Sequence, residues 1–348
     1  MRNTITESLD RRENYWRSGF KRWRCAIALA LSLYPALRLH AADLALMDPI
    51  SSRNLSPIYQ SIGIPVLRSA SPVSSGRWRV EWDANVASHS VRESARERLY
   101  ELDGETLRSD LSLRFGVSDQ LTLTMNLPFV RHSGGQLDSL IDGWHAFFGL
   151  PDGARDSQPQ DRLLFDVASP GIEPLERSVS GLGDPEVELA GAFAGTGSWK
   201  AAWLLNHKFA LGDEKDFLGS GENATSLGLR LHIDDCLLRT LRCYGQVGAT
   251  WLWGELPDQS TDQLIPFASF GLAWQARQSI ALVAQLDYHE DVYKDSLLIR
   301  NGPPVWGTLA LRWRASNSWQ IEAGFAEDLA VGASPDINFR FSLHYLDF

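Results

Sequence analysis

The sequence is poor in sulfur and poor in positive charge. Three cysteines and three methionines occur in 348 residues. Such sparse cysteine leaves no zinc-type Cys/His spacing to read. Acidic residues outnumber basic ones 43 to 33, for a net charge of −10. No basic stripe survives outside the first 40 residues, so nucleic acid is excluded as a partner. Beyond residue 42 no apolar run approaches the about 20 residues that a membrane helix needs. What the chain does have is 44% hydrophobic residues, which excludes a disordered polymer. It also has 13 Trp, 15 Phe, 8 Tyr and 28 Gly. That mixture at modest hydropathy suits a β protein in which every second residue meets an apolar medium.

Residues 1–42 read as a secretory signal peptide. Arg11, Arg12, Arg17, Lys21, Arg22 and Arg24 form a basic start, an apolar run covers Cys25–Leu37, and Leu-His-Ala-Ala precedes Asp43. Basic start, short apolar stretch and small exit residues are the parts of an export signal, with cleavage expected after Ala41 or Ala42. Without it the chain carries 25 basic and 40 acidic residues, a net charge of −15. Export without a helical anchor leaves the periplasm, the exterior or the outer membrane.

Past that leader the chain alternates at period two. Trp78, Val80, Trp82, Ala84 and Val86 share one face, against Arg77, Arg79, Glu81, Asp83 and Asn85. Leu107, Leu111, Leu113 and Phe115 oppose Arg108, Asp110, Ser112 and Arg114; Leu121, Leu123, Met125, Leu127 and Phe129 oppose Thr122, Thr124 and Asn126. Further strands are expected at 184–195, 199–211, 224–234, 242–254, 264–275, 278–289, 304–315, 318–327 and 336–348. Short turns alternate with long loops, which are expected near 89–103, 132–183, 212–223, 255–263, 290–303 and 328–335. This predicts an all-β, transmembrane antiparallel barrel of about 12 strands, closed because lipid offers a sheet edge no hydrogen-bond partner. Residues 76–348 form the barrel, and 43–75 form an N-terminal segment, periplasmic or lumenal. Trp199, Trp251, Trp274, Trp306 and Trp319 are expected in interfacial girdles. A lumen of this size is too wide for side chains alone to fill. An arginine at Leu123 should prevent folding into lipid, whereas one at Thr124 should be tolerated. The terminal strand, with Ile337, Phe339, Phe341, Leu343, Tyr345 and a final Phe348, is similar to the signal read by the barrel-assembly machinery.

One stretch is more particular than barrel statistics. Leu102-Asp103-Gly104-Glu105-Thr106 is followed by Asn126-Leu127-Pro128-Phe129 and Ser133-Gly134-Gly135-Gln136-Leu137-Asp138. Asp142-Gly143-Trp144-His145 and Phe148-Gly149-Leu150-Pro151-Asp152-Gly153-Ala154-Arg155 come next. With Arg53-Asn54 near the mature start, these segments resemble the domain-of-unknown-function 3187 family of Gram-negative bacteria, over about residue 50 to the end. The resemblance implies an outer-membrane barrel and brings no catalytic residues with it.

The lumen-facing charges expected to contact a solute or a plug are Arg77, Arg79, Glu81, Asp83, Arg108, Asp110, Arg114, Asp287, Arg312 and Arg314. Such an interior is either a water-filled path or a self-paired network. Leu137, Leu140, Ile141, Trp144, Phe147 and Phe148 recur at helical spacing, which predicts a helix over 136–148 ended by Gly149 and Pro151. Two acids and no lysine on its polar face disfavour anionic headgroups. A lid over the lumen, made by Leu137, Leu140, Ile141, Trp144, His145 and Phe148, is the expectation. Cys236 and Cys243 flank a short connection in an oxidising compartment and are expected to be bonded. His132-Ser133 with Asp142 and His145 offers a hydrolase reading, but the His-x-Ser spacing of outer-membrane phospholipases is absent. Asp213, Glu214, Asp216 and Glu222, and Glu290, Asp291 and Asp295, are acid runs read as solvated loop. No metal and no cofactor is expected. The sequence thus points to a non-enzymatic barrel that passes or binds a small solute. The alternatives are a structural or envelope-assembly surface protein and, third, a lipid-modifying hydrolase. Its expected partners are outer-membrane lipid, lipopolysaccharide and, during biogenesis, the assembly machinery.

Overall fold

The computed structural model describes residues 45–95, 98–135, 137–139, 142–143, 146, 159–167, 173–254, 263–292, 303–330 and 334–346. The expected leader at 1–42 lies outside them. The strands are β1 Trp78–Ala95, β2 Arg98–Ser118, β3 Leu121–Ser133, β4 Leu164–Asp166, β5 Val179–Leu182, β6 Glu186–Thr196 and β7 Trp199–Lys208. They continue as β8 Ala224–Asp234, β9 Leu241–Leu252, β10 Leu264–Arg277, β11 Ile280–His289, β12 Val305–Arg314, β13 Trp319–Asp328 and β14 Ile337–Leu346. Antiparallel pairing runs from β1 through β2, β3 and β6 round to β14, and β14 pairs back onto β1. Twelve strands close the barrel; β4 and β5 are short additions on β2 and β3.

The alternation expected from the sequence sets the two faces. Trp82, Leu111, Met125, Leu229, Phe270 and Trp313 are exposed on the outside, Leu229 by 52%. Their neighbours Glu81, Asp110, Thr124, Arg230, Ser269 and Arg312 turn inward, and all but Ser269 are buried. A wall that is greasy outside and charged inside is built for lipid on its outer face.

Two expectations need correction. The long loop placed at 89–103 is instead strand: β1 and β2 pair without interruption from Trp78↔Phe115 to Ala95↔Arg98. The hairpin continues because its inner face is covered, with the His89 ring edge-on to Phe165 at 5.6 Å and its Nε2 2.8 Å from Thr106 Oγ1. The long connection 132–183 likewise contains β4 and β5. Of the helix expected over 136–148, residues 138–139, 142–143 and 146 are helical, and the Leu137 amide donates to Glu105 Oε1 at 2.5 Å. Leu140, Ile141, Trp144, His145 and Phe148 lie outside the described residues.

Residues 45–73 run inside the barrel, and the exposed Ser74, Ser75 and Gly76 lead from them to β1. Four prolines (Pro49, Pro57, Pro65 and Pro72) keep this stretch from pairing as a strand. It turns at Gly63, whose φ of +89° is the left-handed conformation glycine tolerates. A Cβ at Gly63 would stand 2.8 Å from Lys208 Cβ. Where the segment passes into β1, Gly116 is needed for a different reason: a Cβ there would meet the Ser74 carbonyl oxygen at 2.0 Å.

Candidate functional site: the filled lumen

A backbone that cannot join the sheet must find other hydrogen-bond partners, because buried carbonyls are costly to leave unpaired. The wall supplies them. Near the short-turn end, Arg312 donates to the carbonyls of Leu46, Asp48 and Pro49 at 3.1, 2.7 and 3.1 Å. Further along, Gln285 Oε1 accepts from the Ile50 amide at 3.1 Å, and Ser52 Oγ meets Thr308 Oγ1 at 2.8 Å. The segment reaches the long-loop end at Tyr59 and Gln60. There the Tyr59 hydroxyl donates to Asp291 at 2.9 Å and Gln60 Nε2 to the Phe217 carbonyl at 3.3 Å. It then returns: the Gly63 carbonyl accepts from Asn206 and Ser226, Pro65 from Gln246, and Val66 from Arg230. Near β1 the Val73 amide donates to Thr122 Oγ1 at 2.9 Å.

Most of the charges around this segment pair within the wall. Arg230 spans both Glu188 oxygens at 2.7 and 2.6 Å, and Arg108 spans Asp110 at 2.9 and 3.0 Å. Arg340 lies 3.1 Å from Asp83 and 3.0 Å from Glu322, which also binds Arg312. Lys208 holds Asp184 at 2.8 Å. Among the described residues four ion pairs cross from segment to wall: Arg53 with Glu186 at 2.8 Å, Arg68 with Glu81 at 2.5 Å, and Asp48 with Arg79 and Arg242 at 3.2 and 3.3 Å. Among the expected lumen charges, Glu81, Asp83, Arg108, Asp110, Arg114, Asp287 and Arg312 are buried inside. Arg79 and Arg314 are half-buried near the rim, and Arg77 is exposed just before β1.

The long-loop end is sealed by an apolar cluster that includes Tyr59, Ile62, Phe165, Leu175, Phe217 and Leu218. Below it a cavity of about 20 Å³ lies between the segment and β10–β12. That is room for about one water molecule. Trp306 lines it, and this corrects the girdle expectation. The indole is 6% exposed and donates to Ser52 Oγ at 2.8 Å. Its phase matches Thr308 and Arg312, both inward, so strict period-two counting along β12 would have placed it. Trp199, Trp251 and Trp319 are exposed on the outside, and Trp274 is half-buried.

Among the described residues that offered a hydrolase, His132 and Ser133 are not brought together. His132 is fully buried, with Nδ1 2.9 Å from Thr106 Oγ1 and Nε2 3.1 Å from the Phe217 carbonyl. Ser133 follows it on a strand and therefore points to the other side; His145 lies outside the described residues. No group of three potential metal ligands occurs among the described residues. In the acid run of the 212–223 loop, Asp216 pairs with Arg177 at 2.9 Å. Asp295 lies outside the described residues. Cys236 and Cys243 are bonded across the β8–β9 turn, Cα to Cα 5.9 Å.

Sequence reasoning did not single out Arg68, Glu188, Arg230, Arg242, Gln246, Glu322 or Arg340. All have the inward phase of their strands except Arg68, which belongs to the enclosed segment.

The fold is similar to the COG4313 outer membrane channel from Pseudomonas putida F1, with a TM-score of 0.53 at 15% identity, over 80% of this chain and 97% of that one. The KdgM porin, solved with disordered oligogalacturonate, aligns at TM-score 0.43 and 8% identity over 78% of this chain and 99% of that one. The toluene transporter TodX of Pseudomonas putida aligns at TM-score 0.38 and 11% identity over 85% and 98%. No curated protein matches the sequence. Residues 29–346 match the model of the family described as protein of unknown function (DUF3187), and the chain belongs to that family.

Proposed function

We propose that this protein is a gated transport barrel of the outer membrane, exported by its first 42 residues, and that residues 45–76 are the gate. The observation that carries this is how the lumen is filled. The segment is held by separate hydrogen bonds from side chains to its carbonyls, each worth about 0.5–1.5 kcal/mol, and by ion pairs at Asp48, Arg53 and Arg68, and not by a ladder. Because Glu188–Arg230, Asp110–Arg108, Asp184–Lys208 and Glu322–Arg312 pair within the wall, most of its charges stay compensated when the segment leaves; Glu81 keeps Arg114 and Arg242 keeps Asp234, while Glu186 gives up Arg53. Donors such as Gln246 and Asn206 then turn to water. A segment serving only as a core would have little use for a wall that pairs most of its charges without it. The apolar outer face supports the membrane location, and the likeness to an outer membrane channel is in keeping with transport.

Locking the gate tests the proposal. Ser52 Oγ and Thr308 Oγ1 lie 2.8 Å apart, so Ser52→Cys with Thr308→Cys places two thiols within bonding reach. The native pair is replaced by Cys236→Ser and Cys243→Ser to keep the redox chemistry at one site. In planar bilayers the reduced protein should show conductance steps and the oxidised protein none. Silence in both states favours the structural or envelope-assembly reading, and conduction in both removes the segment as a gate.

A further inference from the structure

The carboxylates buried inside the barrel are not all treated alike. Glu81, Asp83, Asp110, Glu186, Glu188 and Glu322 each face an arginine, and Asp184 faces a lysine. Asp287, on β11 and 4% exposed, makes no ion pair among the described residues; Arg340 acts on it only at longer range and is itself paired with Asp83 and Glu322. Gln285 Nε2 donates to both of its oxygens at 3.0 Å, and hydroxyls of Ser269 and Ser52 complete its shell. The amide orientation of Gln285 is fixed from the far side, because its Oε1 accepts from the Ile50 amide.

Asp287 borders the small cavity, and aromatic rings surround it. On the wall side stand Phe267, His289 and Trp306; from the segment come Ser52, Asn54 and Tyr59. The Tyr59 ring meets His289 edge-on at 5.1 Å, and His289 meets Trp306 at 5.8 Å. Asn54 Nδ2 sits 3.3 Å from His289 Nε2. Arg53 also lines the cavity but is turned to Glu186, and it belongs to the segment, so it departs with it. What stays on the wall is a carboxyl group without an ion-paired cation, beneath aromatic faces. A buried carboxylate is costly until a positive charge arrives, and aromatic faces attract the same charge.

We propose that the inner face of β10–β12 around Asp287 is the solute subsite of the lumen, and that it takes a small organic cation, an ammonium carried on an apolar or aromatic body. Ser52, Asn54 and Tyr59 occupy it while the gate is closed: a phenol ring stands in for the solute body and neutral hydroxyl and amide groups for its polar end. This rests on the gated reading above, and it adds the chemistry of what passes.

The test uses the full chain and two probes of matched shape, phenethylamine and 2-phenylethanol. Tyr59→Ala empties the space of one ring beside Asp287 without requiring the gate to open. By calorimetric titration this variant should bind phenethylamine at least about ten-fold more tightly than the alcohol, a difference of about 1.4 kcal/mol. Adding Asp287→Asn should erase the preference. Equal binding of the two probes, or a preference that survives Asp287→Asn, overturns the subsite. If Tyr59→Ala does not fold, the wild-type chain in bilayers decides. Phenethylamine should block its current and the alcohol should not, with block weakened at least about ten-fold in Asp287→Asn; absence of that difference overturns the subsite equally. The two readings fail separately. A chain that never conducts but binds the amine through Asp287 sinks the gate alone. A chain that conducts under redox control yet ignores the amine sinks the subsite alone.

Discussion

The wall of the barrel and the segment threaded through it satisfy the same requirement by opposite means. In the wall the backbone is paired to neighbouring strands in antiparallel ladders, so side chains are released to face lipid or lumen as the alternation dictates. In residues 45–76 four prolines prevent a ladder, and the backbone is satisfied by side chains reaching in from the wall. Arg312 alone serves three of its carbonyls. The difference teaches that inward arginines here have two duties: one pairs a carboxylate of the wall, the other holds the enclosed chain.

The largest effect should come where both duties meet. Arg312→Met strips three carbonyls of their donor and leaves Glu322 with Arg340 only. Removing one partner of a buried pair costs about 3–5 kcal/mol. Urea unfolding of the folded barrel, followed by its mobility without boiling, should show a loss of that size. Adding Glu322→Leu should recover much of it, because replacing both partners removes the stranded charge. A double variant no better than the single would mean that holding the segment, and not pairing in the wall, is the dominant duty.

Next in size is a pair of neighbours on β3. Leu123 faces outward, and an arginine there costs about 2–4 kcal/mol at the bilayer midplane. It should block folding into lipid vesicles while leaving binding to their surface. Thr124 faces inward, and the expectation that an arginine is tolerated there assumed room in the lumen. The structure removes that room: Thr124 is 3% exposed and lies across from Arg114 and Glu188. Thr124→Arg should therefore fold into vesicles but displace residues 45–76, read as more frequent conductance steps than in the parent. Failure of both variants to fold would erase the distinction between wall and contents.

What was legible follows the same division. The outward Leu, Trp and Phe repeat every second residue, so strand phase and the twelve-strand closure could be read directly. The rim defeated the reading: β1 and β2 continue past His89 and Gly104, where polar residues are buried by 163–167 and no lipid imposes alternation. The enclosed segment was left open between periplasm and lumen, because its apolar residues follow no period and its contacts lie up to 266 positions away, as between Leu46 and Arg312. Its prolines were a usable signal. A proline-rich stretch beside inward Arg, Gln and Asn suggests carbonyls in want of donors. Trp306 was misplaced because tryptophan was read by type, as a girdle residue, when its position beside Thr308 and Arg312 pointed inward.

The smallest prediction isolates the segment from the wall. Ser226 is fully buried on β8, and its hydroxyl lies 3.3 Å from the Gly63 carbonyl and 2.8 Å from Thr250 Oγ1. Ser226→Ala removes one of two donors to that carbonyl; Asn206 Nδ2, at 3.4 Å, remains. One neutral hydrogen bond is worth about 0.5–1.5 kcal/mol, and the shared acceptor keeps the loss near the lower end. If residues 45–76 move as a gate hinged on the wall, that energy is charged to the closed state alone. Open probability in bilayers should then rise about two- to five-fold, while the urea midpoint of the barrel shifts little. An unchanged open probability together with a lowered midpoint would show the reverse: that the bond serves the barrel as a whole, and that the segment is as much a part of the fold as the strands around it.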